Sequence, residues 1–305
     1  MRTAILGAGG FIGTHLTRRL VADGYAVRAF GRHFLSRPHL HGAEIFEGDF
    51  NDQTVLSTAI EGAEIVIHLI HATFPTVANI EMIADLERSV AGSVRMLNAA
   101  KAQGVRRVLF LSSGGTVYGP TVRCPISEEH PTNPISAYGI NKLAIEKYVA
   151  LHETMFGLEG FVMRLANPYG PLQTGSRQQG LIPTVFSRMA AGQPITIFGD
   201  GSETRDYVFI DDVADAVARL VTYEGAQRCF NIGSGGAGKS IRDVVTAIEA
   251  ATGLPAKIEF RPRRAFDVQS NVLDCGRLMR ETGWSPQTPF DQGVARTVEW
   301  LKDRA

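Results

Sequence analysis

Seven residues near the N-terminus limit the folds open to this chain more than any other stretch. Gly7-Ala8-Gly9-Gly10-Phe11-Ile12-Gly13 follows an apolar run that reads as a strand over 3–6, and it opens a helical pattern over 12–23. The glycines at 7, 10 and 13 fit G-x-x-G-x-x-G. In that setting glycine serves a tight turn, a close approach of backbone to a pyrophosphate, and close packing of helix on strand. The helix start then offers unpaired N–H groups and a positive dipole end to phosphate. A tight strand–helix turn without a ligand would use glycine too. Its place at the head of a strand–turn–helix unit favours a dinucleotide site.

The rest of the chain continues the alternation. Apolar β-type runs at 26–30, 65–70, 108–111 and 161–165 are separated by helical patterns, of which those over 80–103 and 136–156 are long. Strands spaced by helices predict parallel βαβ units with both sheet faces covered, so the expected fold is α/β, a Rossmann-type doubly wound parallel sheet. After Asn167-Pro168-Tyr169-Gly170-Pro171 glycine, proline and polar residues become frequent and the alternation loses regularity. Residues 1–169 are therefore expected to form the NAD(P)-binding domain, with segments near 205–235 returning to it. Residues 170–305 are expected to form mainly a smaller C-terminal α/β substrate-binding domain.

Composition narrows the function classes. Hydrophobic residues make up 44% of 305, enough for a sizeable core, while Lys+Arg 31 balance Asp+Glu 31. That neutrality removes the electrostatic case for nucleic acid or an anionic membrane as partner. The apolar run Ala4-Ile5-Leu6 breaks at once into the glycine loop, so no secretory signal is expected, and no apolar stretch is long enough to span a membrane. Cys124, Cys229 and Cys275 form no CxxC, and no Cys/His cluster has zinc-ligand spacing. A reduced, cytoplasmic compartment and no metal are the expectations.

Which nicotinamide the loop holds stays open. NAD binders usually carry Asp or Glu at the end of the second strand, but this chain has Gly31-Arg32. Arg32 would suit the 2′-phosphate of NADP, or be an ordinary surface arginine. Asp49, in Glu47-Gly48-Asp49-Phe50, would meet the adenine edge or make a local turn.

Ser136-Ala137-Tyr138-Gly139-Ile140-Asn141-Lys142 begins a helix, with Ser136 as its candidate N-cap. Tyr138 and Lys142 are four apart and share a face. A tyrosine serves as base only if its pKa falls from about 10 towards neutrality, which takes about 4 kcal/mol of differential stabilisation. A nearby ammonium and an oxidised nicotinamide would supply it. Without the glycine loop upstream, the pair would read as an exposed i,i+4 contact.

With these motifs in order the sequence resembles the extended short-chain dehydrogenase/reductases and, within them, nucleotide-sugar epimerases of the UDP-glucose 4-epimerase kind. The resemblance rests on GAGGFIG at 7–13, LSSGGTVYG at 111–119, YGINK at 138–142, RLANPYGP at 164–171, GDGSETRDYVFIDDVADA at 199–216, FNIGSG at 230–235 and RRAFDV at 263–268. It implies transient oxidation of a sugar hydroxyl, usually at C4. Tyr138 would take the proton while hydride passes to bound NAD, and the keto-sugar would take the hydride back on its other face. Lys142 would hold the nicotinamide ribose and keep Tyr138 acidic. The cofactor would lie along Gly7, Gly10, Phe11, Ile12, Gly13, Asp49, Phe50, Leu69, Ser89 and Ser112. Asn167, Arg205 and Arg264 would meet the substrate diphosphate, the arginines having surface salt bridges with Asp206 or Asp267 as their other reading. Asp267 would also face the substrate, and the long helices would pair two chains into a homodimer.

The chain departs from that family in places. A Ser or Thr hydroxyl normally stands where this chain has Gly114, and it helps pass the proton to the tyrosine. Thr116, or else Ser113, is the expected substitute. Related dehydratases carry Asp-Glu where this chain has Gly115-Thr116, and related decarboxylases keep a Glu at 116. Without those carboxylates neither reaction is expected. Asn271 stands where hexose-restricted epimerases put a bulky aromatic, which would admit an N-acetyl group. Arg177 would instead meet a uronic-acid carboxylate, so the substrate stays open among UDP-hexoses, UDP-N-acetylhexosamines and UDP-uronic acids.

Three other readings stand beside this one. Gly233-Ser234-Gly235-Gly236-Ala237-Gly238-Lys239-Ser240 matches the P-loop of ATP binders letter for letter. It is expected instead to be a glycine-rich lead into a helix capped near Ser240. An NADPH-dependent keto-sugar reductase would use the same Tyr/Lys pair, and Arg32 favours it. A dinucleotide sensor without activity would need neither that pair nor the phosphate-clamping arginines.

Overall fold

The computed structural model describes residues 1–71, 78–120, 123–174, 180–263 and 268–304. The chain begins with β1 (Arg2–Leu6), α1 (Phe11–Ala22), β2 (Ala26–Gly31), β3 (Glu44–Glu47), α2 (Gln53–Ile60) and β4 (Ile65–His68). Next comes α3, which starts as Met82–Asp85, passes through a π-helical stretch at Leu86–Ala91 and continues as Gly92–Ala102. β5 (Arg107–Ser113), α4 (Ala137–Phe156), β6 (Glu159–Leu165) and β7 (Asn167–Tyr169) follow. The C-terminal part holds α5 (Leu181–Ala190), β8 (Ile195–Phe198), β9 (Thr204–Arg205), β10 (Tyr207–Phe209), α6 (Ile210–Val221) and β11 (Cys229–Ile232). It ends with β12 (Lys239–Ser240), α7 (Ile241–Thr252), β13 (Ile258–Arg261), β14 (Ser270–Asn271), α8 (Gly276–Thr282) and α9 (Phe290–Lys302).

The main sheet has seven strands in the order β11-β6-β5-β4-β1-β2-β3, and every pairing in it is parallel. The order reverses direction between β1 and β4. Such a switch point opens a crevice at the carboxyl ends of the strands. The alternation of side chains along each strand sends Ile5, Ile67 and Leu109 into one apolar layer and Ala4, Leu6, Val66, Val108 and Phe110 into the other. Leu16 and Leu20 of α1 and Val213 and Val217 of α6 cover the first layer. Leu56 and Ile60 of α2, Met96 and Leu97 of α3, and Ile145 and Val149 of α4 cover the second. This is the doubly wound Rossmann arrangement that the glycine loop and the strand spacing predict.

Smaller pairings lie outside the main sheet. β9 sits between β12 and β14, β10 pairs with β7, and β13 pairs with β8. The predicted helix over 80–103 is present at 82–102, with the π-helical turns as a departure that apolar spacing does not announce. No described helix is long and apolar enough to cross a membrane.

Candidate active site

The glycine loop closes against the sheet. Gly7 has φ +94°, which an L side chain rarely adopts. The N–H groups of Gly7 and Ala8 both donate to the Phe30 carbonyl at 2.9 Å, fixing the loop to the end of β2. A Cβ at Gly13 would lie 2.2 Å from the Gly7 oxygen, so α1 approaches the loop too closely for any side chain there. Gly10 is the N-cap of α1, no side chain caps that end, and its first turn carries no acid. The helix start is therefore open to an anion. Phe11 and Ile12 pack against the core beneath it, and Leu69 closes the floor, its Cβ 3.3 Å from where a Gly7 side chain would begin. These residues fit a dinucleotide's pyrophosphate.

At the far end of β2, Arg32 is exposed and its Nη1 lies 3.9 Å from Asp49 Oδ2. Asp49 also accepts from the Asn51 N–H at 2.9 Å. A carboxylate this near the guanidinium opposes a second phosphate at that corner. Phe50 is buried and its ring stacks on His68 with centroids 5.1 Å apart, so it serves the core.

The Tyr/Lys pair stands at the carboxyl ends of β4 and β5. Ser136 Oγ accepts from the Gly139 N–H at 3.2 Å, which starts α4 at Ala137 and puts Tyr138 in its first turn. Lys142 is 3% exposed and its Nζ donates to the Leu111 carbonyl at 2.7 Å. The same Nζ lies 5.8 Å from the centre of the Tyr138 ring. Burial pulls the Lys142 pKa down to about 7, against the opposing pull of Glu146 and Asp85. Tyr138 keeps some accessible surface, yet the dense protein around it pushes its pKa up to about 12, with the Asp85 charge adding to the rise. The protein's own groups therefore leave Tyr138 a neutral phenol at pH 7. The phenolate that base chemistry needs depends on a further positive charge beside it.

One turn beyond Lys142, Glu146 locks α4 to the sheet. Its carboxylate accepts from Arg164 Nη2 at 2.7 Å, from Arg164 Nε at 3.2 Å, and from the Ser112 hydroxyl. Arg164 Nη1 also donates to the Tyr118 hydroxyl at 3.1 Å, and that hydroxyl donates to Asn231 Oδ1 at 2.7 Å. Every member is buried, so each must be paired to stay there. Beyond the charges themselves, no motif marks this network. Ser112 spends its hydroxyl on Glu146, and Ser89 donates to Asp85 Oδ1 at 3.0 Å.

The loop after β5 shows why position 114 is glycine. A Cβ there would lie 2.4 Å from Leu273 Cδ1 and 3.0 Å from Cδ2. Leucine fills the space where the family's hydroxyl residue would stand. Ser113 ends β5, with its carbonyl accepting from the Val117 N–H at 3.1 Å. Thr116 Oγ1 is buried and makes no hydrogen bond, and the Thr116 carbonyl lies 2.9 Å from where a Gly139 side chain would begin. Thr116 is thereby brought against the helix turn that carries Tyr138, with its hydroxyl uncommitted.

Asn271 sits opposite Arg205 in the β14–β9 pairing, and its Nδ2 donates to the Gly114 carbonyl at 3.3 Å. Arg205 Nη1 donates to its neighbour's carbonyl, that of Thr204, at 2.9 Å. It leaves Asp206 to other partners: the buried carboxylate accepts the N–H groups of Ser234 and Leu273 at 2.7 and 3.1 Å. Asn167, in β7, donates from Nδ2 to the Asp206 carbonyl at 3.0 Å. Arg177, Arg264 and Asp267 lie outside the described residues.

The glycine-rich loop at 233–240 is not built as a phosphate cradle. Ser234 gives its N–H to the Asp206 carboxylate, and Lys239 lies in β12 rather than in the helix. Ser240 and Asp243 form a reciprocal capping box that uses the start of α7. Asp243 and Asp291 line the adjoining cavity beside Lys239. Acids there oppose a triphosphate.

Comparison with known proteins decides the family. The model of the NAD dependent epimerase/dehydratase family matches residues 3–233. The chain belongs to that family. It is 37% identical to a UDP-glucose 4-epimerase of Mycolicibacterium smegmatis, over 100% of both proteins. It superposes with TM-score 0.93 and 30% identity on a UDP-glucose 4-epimerase of Thermotoga maritima solved with UDP-glucose, covering 100% of this chain and 99% of that one. A UDP-glucose 4-epimerase of Thermus thermophilus in complex with NAD gives TM-score 0.90 at 28% identity, with 100% of both chains covered. The chain is thus an enzyme of the NAD-dependent nucleotide-sugar epimerase kind.

Proposed function

We propose that this protein is a UDP-hexose 4-epimerase that oxidises the sugar at C4 transiently with bound NAD. The observation that carries the reading is the Tyr138/Lys142 pair, fixed by the Ser136 cap and the Leu111 carbonyl at the mouth of the dinucleotide crevice. NAD supplies the hydride acceptor and, when oxidised, a positive ring. Gly7, Gly10 and Gly13 would hold its pyrophosphate, and Lys142 its nicotinamide ribose. Tyr138 would receive the C4 hydroxyl proton at Oη and return it. Thr116 Oγ1, buried and unpaired, is the hydroxyl that would pass the proton on in place of one at Gly114. Asn167, Arg177, Arg205, Arg264 and Asp267 would meet the diphosphate and sugar. In this reading residues 1–169 and segments near 205–235 carry the dinucleotide, and 170–305 mainly face the sugar nucleotide.

A specific observation keeps N-acetylhexosamines in view. Asn271, whose Nδ2 donates to the Gly114 carbonyl, is itself smaller than the aromatic that would crowd an N-acetyl group at this position. The Asp49 carboxylate beside Arg32 favours NAD over NADP, and with it the epimerase over the reductase.

A homodimer completes the reading. Ile140, Tyr148, Leu151 and Met155 are exposed on α4, and at 3.6 residues per turn they fall within about 80° of arc. Ile83 and Leu86 of α3 are exposed as well. An apolar stripe of this kind suits a second copy of the same helices. The cysteines are unpaired, which suits a reduced cytoplasm.

The test is incubation of purified protein with UDP-, GDP- and dTDP-sugars, with and without NAD. A C4 epimer of a UDP-sugar supports the reading. NADPH consumption with a keto-sugar and no epimer would replace it with the reductase.

A further inference from the structure

The proposed chemistry leaves one buried ionisable cluster without a role. Asp85 of α3 is 0% exposed. Its Oδ1 accepts from Ser89 Oγ at 3.0 Å and its Oδ2 from Asn141 Nδ2 at 2.7 Å. His71, just past β4, has Nε2 3.4 Å from Asp85 Oδ1. The His71 ring meets the Tyr138 ring edge-on, with centroids 4.3 Å apart and planes at 62°. Three elements thus converge behind the tyrosine: the end of β4, the start of α3 and the first turn of α4.

An ionised carboxylate in such a place is costly unless it balances another charge. The groups facing it can be named element by element. His68 and His71 come from β4 and its end, and burial pulls both well below the ordinary imidazole range, so both are neutral. Ser89 and Ser93 come from α3, where Ser93 is bonded to His68 at 2.8 Å. Tyr138, Asn141, Lys142 and Glu146 come from α4, and Arg164, locked to Glu146, comes from β6. Among the described residues the buried cations here are Lys142 and Arg164. Glu146, hydrogen-bonded to Arg164, is the larger negative influence on Lys142, and Asp85, bonded to Asn141 beside Lys142 in α4, adds a second one.

We propose that Asp85 and His71 are positioning residues of the reacting centre. Asp85 adds to Glu146 a second negative charge that favours the ammonium form of buried Lys142, and His71, held against Asp85, fixes the Tyr138 ring edge-on. The inference rests on the reading of Tyr138 and Lys142 as the reacting pair, and it adds residues that no sequence motif marks. It also sets a direction. The Asp85 charge favours the protonated forms of both Tyr138 and Lys142. Neutralising it therefore moves both limbs of the activity profile the same way, to lower pH. A merely structural loss would not do this.

The test uses the full chain with Asp85→Asn, His71→Ala and His71→Phe. Lysine labelled with 13C at Cε reports the Lys142 titration by NMR with no sugar present. Asp85→Asn is expected to lower its midpoint by about one pH unit. The falling limb of UDP-glucose turnover should move with it. His71→Ala is expected to lower kcat about tenfold or more at little change in KM, because a loosened base misses its target. His71→Phe, which restores a flat ring, should recover most of that loss. Should Asp85→Asn not fold, the exchange Asp85→Asn/Asn141→Asp keeps the hydrogen-bonded pair and returns the charge, and a wild-type Lys142 midpoint is then expected. An unmoved midpoint in Asp85→Asn, or full kcat in His71→Ala, overturns the proposal. A wild-type protein that turns over no nucleotide sugar, while Asp85→Asn still moves the midpoint, sinks the functional reading and leaves the Asp85–Lys142 balance standing.

Discussion

Restoring the family's hydroxyl at position 114 is expected to harm this protein before it helps the chemistry. In Gly114→Ser the new Cβ would begin 2.4 Å from Leu273 Cδ1 and 3.3 Å from the Arg164 carbonyl. Leu273 cannot retreat as a whole, since it is 1% exposed and its N–H is held by Asp206 Oδ2 at 3.1 Å. The side chain must rotate into a packed core. Overpacking of that kind costs about 1–3 kcal/mol. For a chain of this size that corresponds to a melting temperature lower by roughly 2–10 °C. Leu273→Ala alone should cost about 2–5 kcal/mol by leaving a cavity. In the double variant the serine enters that cavity, so the two losses should fall short of their sum by about 1 kcal/mol or more. Denaturant titration of the four proteins measures the cycle. Additive losses, or Gly114→Ser at wild-type stability, would refute the idea that Leu273 occupies the hydroxyl's place.

Other outcomes follow from the same geometry. Tyr138→Phe should lose about 10²-fold or more in kcat with the fold intact, and Thr116→Val should lower kcat while leaving KM near the wild-type value. Steady-state kinetics on UDP-glucose checks both. Lys142 is a base whose folded pKa lies below its unfolded one, so between about 7 and 10.5 the unfolded chain binds the extra proton. Wild-type stability should therefore rise relative to Lys142→Met as pH climbs from 7 towards 10, as read from paired melting curves. Leu151→Asp with Met155→Asp should turn a dimer of the 33.1 kDa chain into a monomer in light scattering, because it charges the exposed stripe of α4.

Much of the architecture was legible because local rules and the tertiary fold agree. The glycine loop, the Ser136 cap and the Ser240 cap each fix an element boundary locally, the serines through side-chain oxygens that accept backbone N–H groups, and each lies where the sequence predicts. The two-residue strands β9, β12 and β14 have no periodicity to read, since pairing with distant segments alone makes them strands. The π-helical turns at 86–91 carry ordinary helix-forming residues. In the site, Tyr138 and Lys142 were visible through their spacing. The partner of Gly114 was not, because Leu273 reaches it only through the fold. Asp85 and His71 escaped for the same reason: a lone acid in a helix and a histidine after a strand mean nothing until the fold sets them against each other beside Tyr138.

The central claim is that hydride leaves and returns to C4 within one active site. UDP-glucose carrying deuterium at C4, incubated with the purified protein, tests it directly. The expected result is UDP-galactose with the deuterium retained at C4, no net reduction of NAD, and no such product from Tyr138→Phe. Epimer that has exchanged its C4 deuterium for solvent hydrogen, or undiminished turnover by Tyr138→Phe, would contradict it.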